Sequence, residues 1–259
     1  MKSTSGLVIS IMCIALFAGG CGVAEDPAEG TSSSVVEAFS FPSGDTTANG
    51  KIVLPASYET NENLPAIYLR DFTEQHFKLA TDEFEKVIAG TQKIQGFEAL
   101  VVTLEEIPDI DAEPQSFREH YGLYRDMATY VGGKYTSNTS RTFIGKGSES
   151  GVVLMALFAE ESETSMFDNF IVTDPSGLYG SAVIDVIESG GFPKDKRGKK
   201  LHFSFSSSND YEKCTRIIRL IEEAEYPWLE FEAVEYLDSD YENTYPVSFA
   251  AGIEYVYSE

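Results

Sequence analysis

The 259-residue sequence predicts a single α/β domain: a mostly parallel sheet with helices on both faces and an antiparallel strand pair at its start. Three observations predict it. Short β-branched runs alternate with longer stretches whose apolar residues recur every three or four positions. The strand runs are apolar on both sides, as parallel strands covered on both faces must be. Repeated β-α-β order calls for right-handed crossovers and a helix layer on either side of the sheet. No internal repeat or change of composition marks a second domain.

In chain order, "SVVEAFSF" (34–41) and "GKIVLPAS" (50–57) read as the antiparallel pair, joined by the turn-rich "PSGDTTAN". "LPAIYLRD" (64–71) and "FEALVVTL" (97–104) read as buried parallel strands. Between them, residues 74–90 have helical spacing, with Phe77, Ala80, Phe84, Val87 and Ile88 on one face and Gly90 as a stop. An aperiodic loop from Glu105 to Gly122 leads to a helix over 123–135. The second half alternates strands at 141–146, 167–174, 200–207 and 229–237 with helices at 150–162, 178–190, 211–226 and 246–257. The helix after Ser148 is apolar all round, which predicts burial against the sheet.

The ends set the domain boundaries. Lys2 precedes an apolar run from Leu7 to Phe17, too short to span a bilayer, that closes in "LFAGGC". This resembles a bacterial lipoprotein signal, although Ala18 stands where a larger aliphatic residue is usual. The resemblance implies a signal peptide over 1–20, lipidation of Cys21, a Gly/Ser/Pro-bearing tether over 21–33 and a folded domain over 34–259. Gly22, in place of an acidic residue after the cysteine, implies the outer membrane. Of the remaining cysteines, Cys13 falls in the signal and Cys214 in an amphipathic helix, so no intramolecular disulfide is expected and Cys214 reads as a buried thiol.

Acidic residues outnumber basic ones 42 to 19, for a net charge of −23, and they are spread along the chain. That distribution suits a solvated surface and argues against nucleic acid as a partner. His76, His120 and His202 are scattered, and the acidic runs at 109–113 and 238–243 lack the spacing of a calcium loop, so no metal is expected. No cofactor is expected either. "GKGSES" after a strand has the form G-x-G-x-x-S, with Asp174 ending the next strand, but the third glycine of a dinucleotide fingerprint is a serine.

The run "TFIGKGSESGVVLMAL" (142–157) has strand, tight turn and helix in the order of a nucleophile elbow. Such an elbow is usually G-x-S-x-G; centred on Ser148 this chain has Lys146 and Ser150 in place of the glycines. From "IVLPASYE" through "LPAIYLRDFTEQHF", "RTFIGKGSESGVVLMAL" and "MFDNFIVTDPS" to the last helix, the chain resembles the esterase D and siderophore-esterase group of α/β-hydrolases. The resemblance runs over nearly all of the chain beyond the tether and implies that fold.

Its site residues do not carry over. In the register set by Arg141, Ile144 and Gly145, Gly147 takes the nucleophile position and Ser148 the variable position after it. Lys146 replaces a histidine, and Glu149 and Ser150 replace two glycines. Asp71 matches an aspartate beside the oxyanion turn, but Phe72 replaces its glycine. The histidine position before the last helix falls on Tyr241, and Asp210 is the nearest residue to the acid position. The expectation is therefore a degenerate triad at Gly147, Asp210 and Tyr241, above a pocket holding Asp71, Phe72 and His76. Such a protein would bind an unidentified small molecule or protein at the former pocket. The rival expectation is an ester hydrolase that uses Ser148, with His76 as its base.

Overall fold

The structure is a computed structural model that describes residues 34–70, 97–106, 116–160, 165–190 and 198–258. Strand β1 (Val35–Ser43) turns through Gly44 and Asp45 into β2 (Thr46–Leu54). Gly44 has a φ of +56°, the left-handed start that matches a two-residue turn to the twist of its strands. This hairpin is tighter than the eight-residue connection expected from the sequence. Pro42 is no obstacle to pairing because β1 is an edge strand.

A short 3₁₀ turn (Ala56–Glu59) leads to β3 (Ala66–Arg70), and β4 is Leu100–Leu104. The helix expected over 74–90 lies outside the described residues. Then follow α1 (Phe117–Lys134), β5 (Arg141–Lys146), α2 (Ser148–Ala159), β6 (Asn169–Thr173) and α3 (Gly177–Ser189). Strand β7 (Lys199–Ser206), α4 (Tyr211–Ala224), β8 (Leu229–Tyr236) and α5 (Tyr241–Tyr257) complete the order. The eight strands lie in the order β1-β2-β4-β3-β5-β6-β7-β8. Strand β2 is antiparallel to both β1 and β4, and every later pairing is parallel.

Alternation along the strands divides the core between the two faces. Tyr68, Val102, Phe143, Phe170, Val172 and Phe203 meet α1–α4 on one face. Ile67, Leu69, Val101, Ile144 and Ile171 meet Phe249 and Ile253 of α5 on the other. The all-round apolar pattern of α2 is matched by burial of every residue from Ser150 to Phe158. Each fully buried large apolar side chain contributes about 1.5–3 kcal/mol, so this helix anchors the elbow that precedes it.

Two helices begin earlier than their periodicity suggests. Helix α1 starts at Phe117 rather than Leu123, because Phe117 stacks on Tyr121 at 5.3 Å and the buried His120 contacts the Tyr179 hydroxyl of α3 at 2.8 Å. Helix α5 starts at Tyr241, where the Asp240 side chain accepts a hydrogen bond from the Asn243 N–H and caps it. Pro246 is accommodated inside that helix. Beneath α5 runs a polar seam in which the Ser248 hydroxyl bonds both Thr173 and Ser204, and Thr142 meets the Tyr257 hydroxyl at 2.7 Å. A glycine is needed where α5 crosses the sheet: a Cβ on Gly252 would come within 2.6 Å of Ile171.

Candidate active site

The parallel strands β3, β5, β6 and β7 all deliver their carboxyl ends to one edge of the sheet, the edge at which open α/β sheets place ligands. Gly147 is the apex of the turn there, with φ +61° and ψ −127°. Glycine adopts that conformation without strain, whereas an L side chain rarely does. Its N–H donates to the Thr173 carbonyl at 2.9 Å, and its carbonyl accepts from the N–H groups of Ser150 and Ser176, each at 3.1 Å. The turn thus has the sharp strand-to-helix form of an elbow with no side chain at its tip.

Among the described residues around Gly147, Lys146, Glu149 and Ser150 are engaged in structural contacts and Ser148 is not. Ser148 opens α2, is exposed, and makes no side-chain hydrogen bond among the described residues. Glu149 turns to the Arg70 guanidinium, which is 2% exposed and also lies 5.0 Å from the Tyr124 ring centroid. Ser150 bridges the strands: its hydroxyl reaches the Gly145 and Thr173 carbonyls at 2.6 and 2.7 Å, and the Thr173 N–H donates to it at 3.1 Å. Lys146 is buried with its ammonium 5.0 Å from the Tyr245 ring centroid. Between Leu69, Arg70, Ile144, Gly145, Lys146 and Tyr245 there is no room for a water molecule.

Asp174, at the end of β6, is fully buried and has a φ of +51°. It accepts hydrogen bonds from the Ser206 N–H at 2.7 Å and the Ser206 hydroxyl at 3.0 Å. Burial raises its pKa, against the opposing pull of Ser206, Asn209 and Lys146. Ser206 thus holds one oxygen of this buried carboxylate in place.

The remaining expected site residues are dispersed. Asp210 caps α4, accepting from the Lys213 N–H at 3.0 Å with Lys213 Nζ at 3.4 Å, and the backbone bond holds its pKa below the usual value. Tyr241 is the first residue of α5. Asp71, Phe72, His76 and Cys21 lie outside the described residues. Both described histidines are engaged elsewhere, His120 with Tyr179, and His202 with Glu232 at 2.9 Å. Among the described residues no group of three or more metal-ligating side chains comes together. Sequence reasoning missed the Arg70–Glu149 pair and the Lys146–Tyr245 contact. The one available signal was an arginine closing the otherwise apolar "LPAIYLR".

No protein-family model and no curated protein matches the sequence. Solved structures do match the fold. An IroE-like serine hydrolase from Shewanella oneidensis is 14% identical, with TM-score 0.66 over 86% of this chain and 80% of that one. The siderophore hydrolase EstA from Aspergillus nidulans is 16% identical, with TM-score 0.63 over 90% and 97% of the two chains. A feruloyl esterase module from Clostridium thermocellum is 13% identical, with TM-score 0.59 over 91% and 94%. At such identities the likeness is one of architecture: the chain is built on the α/β-hydrolase fold that these esterase-type proteins share.

Proposed function

We propose that this protein is a lipid-anchored, catalytically silent α/β-hydrolase-fold protein that acts as a binding or scaffolding module. The observation that carries the reading is Gly147 at the elbow apex, where the fold would place a nucleophile. The surroundings support it. Lys146 and the Arg70–Glu149 pair are packed beside the turn, and Ser148 has no hydrogen bond to either described histidine, His120 meeting Tyr179 and His202 meeting Glu232. A phenol at the histidine position is a poor proton shuttle at neutral pH. Cys21 supplies the anchor, at the outer membrane on the sense of Gly22.

The test uses purified protein with a fluorophosphonate probe and p-nitrophenyl acetate, comparing wild type with Ser148→Ala. The expected result is no labelling and no turnover beyond the buffer rate in either. Labelling and turnover that disappear in Ser148→Ala would replace this reading with an active ester hydrolase built on Ser148. The anchor is tested separately: Cys21→Ser should release the protein from the membrane fraction, and a variant that stays bound rules out lipidation there.

A further inference from the structure

Strand β8 ends the sheet, and among the described residues no strand pairs with its outer side. An open edge offers its N–H and C=O groups to another strand. Beside the start of β8 lies a groove of about 210 Å³ lined by Ile221, Glu222, Glu225, Tyr226, Leu229 and Phe231. That is smaller than the about 300–1,000 Å³ typical of small-molecule sites, and it suits one long side chain. Its lining combines the buried Ile221 and the half-buried Tyr226, Leu229 and Phe231 with the exposed Glu222 and Glu225. Glu225, the C-cap of α4, has a left-handed backbone (φ 44°, ψ 50°), where a helix end normally has glycine.

The charge pattern selects the occupant. Glu235 of β8 stands exposed, as do Glu222 and Glu225, whereas Glu230 and Glu232 already face Lys200 at 3.9 Å and His202 at 2.9 Å. Two copies of this edge would set like charges against each other, which disfavours self-pairing. A basic strand meets the opposite situation, and the net charge of −23 draws it in from a distance.

We propose that β8 and this groove form a docking site for an extended, lysine- or arginine-bearing segment of a partner protein. The segment adds to the sheet as a further strand, its main chain supplying the affinity. One basic side chain enters the groove with its aliphatic stem on Leu229 and Phe231 and its charged head between Glu222 and Glu225. The site is remote in sequence from the elbow and does not depend on whether the elbow is silent.

The test uses the purified protein and a fluorescein-labelled eight-residue peptide of alternating valine and lysine, with glutamate for lysine in the control. Fluorescence anisotropy should show saturable binding of the lysine peptide alone, and amide hydrogen exchange over residues 229–236 should slow when it is bound. Glu225→Lys, an exposed substitution that leaves the core intact, should weaken binding by about tenfold or more; Phe231→Asp should do the same. Absence of binding by the lysine peptide overturns the proposal. So does binding undiminished in Glu225→Lys, which would mean diffuse attraction to an acidic surface. Protection of 229–236 that appears without peptide and grows with protein concentration also overturns it, by making a second copy the occupant.

Discussion

Arg70 at the end of β3 and Glu149 in the first turn of α2 form an ion pair that locks the elbow to the neighbouring strand, with the guanidinium 2% exposed. Such a pair contributes little net stability, but half of it is costly. Glu149→Ala strands the buried charge and should destabilise the fold by about 3–5 kcal/mol. Replacing both partners, as Arg70→Met with Glu149→Leu, should cost less than the single change. Urea denaturation of the three proteins checks the order.

Restoring a serine at the elbow tip should not restore chemistry. Gly147→Ser puts a side chain at φ +61° and should cost about 1–3 kcal/mol. With His120 bonded to Tyr179 and His202 to Glu232, the variant should stay unlabelled by fluorophosphonate. Thermal melts and probe labelling read the two parts separately.

Glu160, just past α2, gives the fold a pH dependence. It is 6% exposed, and burial pushes its pKa to about 7, while Tyr121, Met166, Arg125 and Lys199 pull it only partway back. The folded state therefore holds a proton that the unfolded chain releases near the ordinary 4.5 of a glutamate. Stability from this group is complete below that value, falls as pH rises toward 7, and is flat above; the loss is on the order of 2–3 kcal/mol. Denaturation at pH 5 and pH 8 should show this loss in wild type and its absence in Glu160→Gln.

Cys214 should be inert until the protein unfolds. Burial pushes its thiol to about 12, and the carboxylates of Asp174 and Asp210 add to the effect. A disulfide reagent such as 5,5′-dithiobis(2-nitrobenzoic acid) should react with it promptly in urea and at a far lower rate in the native state.

Among the described residues, the order of strands and helices was legible because burial on two faces leaves β-branched runs and helical periods in the sequence itself. The starts of α1 and α5 were not, because they depend on the Phe117–Tyr121 stack and the Asp240 cap. The antiparallel pair was legible as two strands, whereas the tightness of its turn came from the pairing of Ser43 with Thr46.

By itself the sequence determined the fold class, the burial of α2 and the place of Gly147 between a strand and a helix, since each follows from local pattern. Only the tertiary structure decided where the charges beside the elbow go. Arg70 at the end of β3 meets Glu149 in the helix that follows β5, a strand adjacent to β3 in the sheet but distant along the chain, and Lys146 meets a tyrosine about a hundred residues away. Such pairings leave no periodic trace. They are set by which strands neighbour each other, and that is settled only when the whole sheet closes around its core.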